Sequence, residues 1–220
     1  MGVNVFIAGC PRSGTTWMME MLAAHPDVYH VTGDDFAHWI QGKPGKESGC
    51  FQAEIGYSTA LVKMVFAQVE RENPNKILVE KTPWHVMYLA RLFHIFPDAK
   101  VILMKRDPRA VVASMLRKFP FSHVGDCTRF WIQTEQNALP YLDKCLVVQY
   151  EEMHADPAGT LQNVCDFTGL RPVPEIVNGS YDAELDIGTV DSWKKTLSPE
   201  QLDVVRSLLQ REGIELQEAA

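Results

Sequence analysis

The chain has 220 residues, 46% of them apolar and 22% charged, which suits one α/β domain with a substantial core. Its formal net charge of −7 argues against a nucleic-acid binder, whose surface carries a basic surplus, so positive charge for any anionic ligand must be concentrated locally. No apolar run is long enough to span a membrane and no basic leader precedes the first apolar stretch. The five cysteines (Cys10, Cys50, Cys127, Cys145, Cys165) match no zinc spacing and are odd in number, so the expectation is a cytoplasmic protein with reduced thiols and no metal.

Strand-like and helix-like segments alternate without an internal repeat, which predicts one α/β/α domain over residues 1–220 with a central parallel sheet. Val3 to Ala8 reads as a buried strand. Thr15 to Ala24 follows as a helix with Trp17, Met18, Met21 and Leu22 on one side, stopped by His25-Pro26. Residues 31–53 are irregular and expected to line a site or form a lid. Tyr57 to Arg71 reads as a helix, Lys76 to Val79 as a short strand, and Pro83 to Phe96 as a helix with proline in its first turn. Val101 to Met104 is a strand, and Pro108 opens a helix through Leu116. Helical spacing returns over Asp126 to Leu142, and Leu146 to Gln149 is a further strand. Asp156-Pro157 caps a helix to Thr168, ended by Gly169, and the last helix runs from Ser198 to Arg211 with a Ser198/Gln201 capping box.

Between the first strand and helix stands Gly9-Cys10-Pro11-Arg12-Ser13-Gly14-Thr15-Thr16. Gly9 and Gly14 have the G-x-x-x-x-G spacing of a phosphate-cradling loop, but Thr15 stands where a nucleoside-triphosphate enzyme carries lysine. The helix N-terminus supplies unused N–H groups and a positive dipole end. Gly14 permits close backbone approach, Thr15 and Thr16 add hydroxyls, and Arg12 adds a permanently charged donor fork. A second anion site is suggested by Arg106 at a strand end and Ser114 about two helical turns later. The plainer alternatives are an ordinary turn for the loop, pairing of Arg106 with Asp107 or Glu80, and a packing role for Ser114. Arg109 and Arg117 are weaker candidates.

Pro11-Arg12-Ser13-Gly14-Thr15-Thr16-Trp17 resembles the 5′-phosphosulfate loop of sulfotransferases that use 3′-phosphoadenosine 5′-phosphosulfate (PAPS), and GCPRSGTTWMMEMLAAHPDV is similar to their tyrosylprotein branch. The resemblance extends over residues 3–30, 76–117, 145–170 and, less fully, 188–206. It implies a P-loop NTPase-like fold and sulfuryl transfer to a hydroxyl, with adenosine 3′,5′-bisphosphate (PAP) as product and no metal. It places Arg12, Ser13, Gly14, Thr15, Thr16 and Trp17 at the 5′ end of PAPS and Arg106 with Ser114 at the 3′-phosphate. Lys194, in Ser192-Trp193-Lys194-Lys195, resembles a segment that closes over the cofactor.

The resemblance also implies Lys81 and Arg12 as catalytic cations. Asp35 matches the branch's catalytic glutamate, with Asp34 beside it, and His38 competes as base. Asp34 and Asp35 are alternatively the N-cap of a helix over Phe36 to Ile40. His85 is expected on a helix surface and His25 in a turn. Residues 31–75 and 118–142 are expected as acceptor-site or lid insertions. Phe36, Trp39, Tyr57, Trp84 and Phe119 either line an apolar acceptor pocket or belong to the core. Because the chain lacks the membrane anchor usual in that branch, a small-molecule, lipid or glycan acceptor is expected; the oligomeric state is not readable. The rival readings are a small-molecule P-loop kinase, which would want the loop lysine and a magnesium-binding aspartate, and a non-catalytic nucleotide-binding relative.

Overall fold

β1 (Asn4–Gly9) turns Val5 and Ile7 to one face and Phe6 and Ala8 to the other, and all four are fully buried. A strand apolar on both faces belongs at the centre of a covered parallel sheet. In the computed structural model, which describes residues 4–38, 45–173 and 189–216, this is where β1 lies. The other strands are β2 (Val28–Val31), β3 (Ile77–Lys81), β4 (Lys100–Lys105) and β5 (Cys145–Gln149). All pairings are parallel, in the order β2-β3-β1-β4-β5.

The helices are α1 (Thr15–Ala23), α2 (Gly33–Ala37), α3 (Thr59–Glu72), α4 (Leu89–Ile95), α5 (Pro108–Lys118), α6 (Val124–Ala138), α7 (Tyr150–Ala155), α8 (Pro157–Thr168) and α9 (Pro199–Arg211). On one face of the sheet, Val62, Val65 and Phe66 of α3 and Leu89 and Leu92 of α4 pack on Phe6, Ala8 and Leu103. On the other, Met18 and Met21 of α1 and Leu161 and Val164 of α8 pack on Val5, Ile7 and Ile102. The result is the expected α/β/α architecture. A third cluster joins Val111 and Ala113 of α5, Trp131 and Ile132 of α6, and Val205 and Leu209 of α9.

Several elements differ from the sequence reading. β2 was not expected. It is four residues at the sheet edge, three of them half-buried and Val31 buried, and its strand form comes from pairing with β3 rather than from its own pattern. The helix expected over 83–96 divides into a 3-10 segment, Pro83–Tyr88, and α4, because Tyr88 leaves helical geometry at φ −129°. The helix expected over 126–142 stops at Ala138 and continues as a 3-10 segment, Leu139–Lys144; Pro140 there lacks the N–H an α-helix needs. Residues 118–142, expected as an insertion, are therefore mostly α6, packed on α5 and α9. Trp39 lies outside the described residues. Among the described residues no helix is long and apolar enough to cross a membrane.

The strand order reverses at β1, with β3 on one side and β4 on the other. In such sheets, ligands bind beyond the carboxyl ends of the strands at the reversal. There the chain places the loop after β1, Lys81 at the end of β3 and Arg106 after β4. Another concavity, lined by Asn4, Lys63, Phe66, Pro97 and Ala99, opens at the opposite end and shares no residue with this region.

Candidate active site

The loop after β1 is shaped by two glycines. At Gly9 (φ +153°) an added Cβ would fall 2.4 Å from the Met104 carbonyl oxygen, so β1 can leave the sheet this close to β4 only without a side chain. Gly14 is the N-cap of α1 at φ +92°, and an added Cβ would meet Tyr150 Cδ2 at 2.6 Å. A glycine cap brings no side-chain acceptor, so the first N–H groups of α1 stay available to an anion. Gly14→Ala is therefore expected to cost strain at positive φ and to push Tyr150 aside. Its checkable consequence is a loss of PAP binding of about tenfold or more by titration calorimetry, from roughly 1–3 kcal/mol of backbone strain.

Arg12 is the only non-glycine residue besides Asn75 at positive φ among the described residues, φ 78°. Held there, it is exposed, and its Nε donates to Ser114 Oγ of α5 at 3.0 Å. Its carbonyl oxygen accepts from Arg106 Nη1 at 3.1 Å. The loop, Arg106 and Ser114 thus form one continuous donor surface across the ends of β1 and β4. The plainer pairings are excluded: Asp107 instead caps α5 through the Arg109 backbone N–H and pairs with the Arg109 guanidinium, while Glu80 lies in a separate network.

Arg106 is buried at 8% exposure with its guanidinium 3.8 Å over the Tyr150 ring. Tyr150, at the start of α7, was not singled out from the sequence; its ring backs both Gly14 and Arg106, and only the tertiary fold reveals that. Burial draws the Arg106 guanidinium below the ordinary arginine value, while Tyr150 and Glu151 act in the opposite direction. Arg106 Nε and Ser13 Oγ are buried with no hydrogen-bond partner. Buried donors of this kind are normally satisfied, so two orphans on one donor surface fit an anionic ligand. Thr15 is buried and Thr16 exposed at the start of α1. Trp17 is buried, packed edge-on to Tyr150 at 5.6 Å. Burial pushes the Cys10 thiol up to about 12, which leaves it inert within the loop.

Lys81, 5% exposed at its side chain, reaches this surface from β3: its Nζ lies 3.5 Å from Thr16 Oγ1. Its anionic partner is Glu47 at 2.5 Å, not the adjacent Glu80, and Glu47 drew no attention in the sequence.

The expected bases are differently placed. Asp35 closes a capping box at the start of α2, Oδ2 accepting from Thr32 N (2.7 Å) and Thr32 Oγ1 (3.2 Å). Its Oδ1 accepts from the Tyr29 hydroxyl at 2.9 Å. Asp34 is exposed and accepts from Gly45 N at 3.1 Å. His38 is exposed at the C-terminal end of α2. The N-cap of α2 is thus Thr32 rather than Asp34 or Asp35, Asp35 completes its capping box, and α2 spans Gly33–Ala37 rather than Phe36 to Ile40. Lys194 is not drawn to the donor surface: it pairs with Asp191 at 2.9 Å, half-exposed. Its neighbour Trp193 stacks on Arg109 at 4.2 Å, so this segment touches α5 through the aromatic ring.

His85 corrects the sequence reading. It is fully buried rather than on a helix surface, with Nδ1 3.0 Å from Glu80 Oε2. Glu80 Oε1 accepts from Thr82 Oγ1 (2.6 Å), Ser48 Oγ (2.7 Å) and Ser48 N (3.3 Å). The His85 ring stands edge-on to Phe51, 4.6 Å between centroids. Cys50, Glu80 and His85 bring potential metal-ligand atoms within 4.8 Å; Glu80 Oε1 is engaged by three donors, whereas Glu80 Oε2 and both His85 ring nitrogens are buried without a hydrogen-bond partner outside their own ion pair. His25 does lie in a turn, with Nδ1 accepting from Asp27 N at 3.0 Å. Phe36 and Tyr57 are core residues stacked at 5.3 Å; Trp84, packed on Phe130, and Phe119 are 44% and 51% exposed.

Comparison with known proteins agrees with this geometry. A model described as the sulfotransferase family matches residues 4–175. Protein-tyrosine sulfotransferase 1 of Danio rerio is 33% identical over 190 residues, covering 76% of this chain and 53% of that protein. A protein-tyrosine sulfotransferase of Drosophila melanogaster is 30% identical over 190 residues, covering 74% and 37%. The chain thus spans roughly half the length, or less, of these two relatives. Among solved structures, the sulfotransferase domain of the Synechococcus PCC 7002 olefin synthase aligns with TM-score 0.67 at 22% identity, over 99% of this chain and 96% of that one. A mouse sulfotransferase complexed with PAP aligns with TM-score 0.63 at 16% identity, over 95% and 84%. Both share the fold. That the sequence relatives are named as protein-tyrosine enzymes overturns the expectation of a small-molecule, lipid or glycan acceptor. With its phosphate loop, the strand-end arginine and the family match over most of its length, the chain belongs to the sulfotransferase family.

Proposed function

We propose that this chain transfers the sulfuryl group of PAPS to the hydroxyl of a tyrosine in a protein acceptor. One observation carries the proposal: the loop after β1, Arg106 and Ser114 share a single donor surface through Arg12, with Ser13 Oγ and Arg106 Nε buried and unsatisfied on it. When bound, PAPS supplies a sulfuryl group on a phosphate leaving group. The residues present fit it. The α1 N-terminus, Ser13, Thr15 and Thr16 would hold the 5′-phosphosulfate, and Arg106 with Ser114 the 3′-phosphate.

The protein's work is to position and to stabilise charge. Tyr150 fixes the plane of Arg106, so its fork is aimed before the ligand arrives. Arg12 bridges the two halves and can neutralise charge at either. Lys81, nearly enclosed, presents an ammonium at the Thr16 end, where charge develops on the leaving phosphate. The resemblance to the curated relatives supports a tyrosyl acceptor.

Titration calorimetry tests the ligand, with PAP expected to bind and ATP-magnesium not to. Arg106→Ala is expected to weaken PAP binding about 10²-fold, since a charge-assisted pair contributes about 1.5–3 kcal/mol. Sulfate incorporation from PAPS into a tyrosyl peptide tests the acceptor. Stabilisation by ATP-magnesium alone would restore the kinase reading.

A further inference from the structure

We propose that Glu47 is the proton acceptor in the transfer step. This rests on the sulfotransferase reading of the site.

The position of Glu47 is built rather than incidental. On one side, Gly45 is clamped to the start of α2: Gly33 N donates to the Gly45 carbonyl at 2.7 Å and Gly45 N donates to Asp34 Oδ1 at 3.1 Å. On the other side, Ser48 is held by Glu80, and Gly49 N donates to Thr82 Oγ1 at 3.1 Å. Between the clamps, Glu47 Oε1 rests 2.5 Å from Lys81 Nζ, which is itself 3.5 Å from Thr16 Oγ1 of the anion loop. One lysine head therefore separates this carboxylate from the place where sulfur is delivered. An ammonium carries three donors, so Lys81 can keep Glu47 in place and still face an anion beside Thr16.

Availability separates Glu47 from Asp35. Both Asp35 oxygens are committed, to the Tyr29 hydroxyl and to the α2 cap, and a proton on Asp35 would compete with those bonds. The Glu47 side chain is 43% exposed, so an acceptor hydroxyl can reach it and the proton can leave to water. In the step, the acceptor O–H proton passes to the Glu47 carboxylate while the acceptor oxygen bonds to sulfur. The bond from sulfur to the 5′-phosphate oxygen breaks, its electron pair leaving on that oxygen opposite Lys81. Glu47 then releases the proton to solvent, and no oxidant or metal enters the balance.

Glu47→Gln keeps the size and the contact with Lys81 but cannot take the proton. Turnover on a tyrosyl peptide is expected to fall about 10²-fold or more, in the range for general-base loss. PAP affinity and thermal midpoint should stay at the wild-type values. On 4-nitrophenol, which ionises without help in mildly alkaline buffer, the penalty should shrink to within about threefold. A misplaced loop would cost both acceptors equally. Asp35→Asn is expected to lower the midpoint through the lost cap while the folded enzyme keeps its turnover. Equal turnover of Glu47→Gln and wild type on the peptide, an equal loss on both acceptors, or loss of turnover in Asp35→Asn at an unchanged midpoint would each overturn the assignment to Glu47 alone. A wild-type chain that neither binds PAP nor sulfates any phenol would overturn the sulfotransferase reading, and this one with it.

Discussion

Replacement of Lys81 by methionine is expected to lower turnover by about 10²–10³-fold, the usual cost of removing one preorganised group that meets developing charge. PAP affinity should change by less than about tenfold, because the donors proposed to hold both phosphates lie on the loop, Arg106 and Ser114, and the lysine is proposed to act on charge that develops only as the bond to sulfur breaks. The fold should tolerate the change. The methionine fills most of a side-chain site that is 5% exposed, and the Glu47 carboxylate it abandons is 43% exposed and remains hydrated. Steady-state kinetics with PAPS, set beside calorimetry with PAP and a thermal midpoint, checks all three parts. A loss of PAP binding as large as the loss of turnover would move Lys81 from charge stabilisation to ground-state binding.

How much of this could be read from the sequence depended on how local each feature is. The anion loop was legible because strand, glycine pair and helix N-terminus lie within one short stretch, where spacing alone fixes the geometry. Arg106 and Ser114 were legible for the same reason, being one strand end and the next two helical turns. Lys81 was legible as a cation at a strand end, but not its partner. Glu47 meets it only because Gly45 pairs with the start of α2 and Ser48 with Glu80, contacts that no periodicity announces. Asp35 was matched to a base through the resemblance to the tyrosylprotein branch, and no pattern in the sequence shows that its carboxylate accepts from Thr32 and Tyr29. His85 was misplaced because the segment after Pro83 was read with α-helical phase; as a 3-10 turn it points the imidazole inward onto Glu80.

That buried pair carries the largest expected effect on stability. Glu80 and His85 are both fully buried, and removing one partner strands the other in a medium that cannot solvate it. Glu80→Ala is expected to cost about 3–5 kcal/mol, read as a lower urea midpoint at unchanged slope. His85→Ala should cost a similar amount, and the double variant less than the sum of the two, by about 1–3 kcal/mol of coupling. Acid supplies a second readout. Burial alone would push the Glu80 carboxyl up, but His85 and the donors Thr82 and Ser48 outweigh it and hold it below the usual 4.5. The contribution of a carboxyl lowered in the folded state is complete above the unfolded value and drains away as pH falls through the folded one. The stability gap between wild type and Glu80→Ala should therefore narrow as pH falls below about 4.5; a gap that persists unchanged in acid would mean the pair holds through packing rather than charge. Because Glu80 also fixes Ser48, one residue from Glu47, any Glu80→Ala protein kept folded by low temperature should lose turnover on a tyrosyl peptide and on 4-nitrophenol alike, the signature of a misplaced loop.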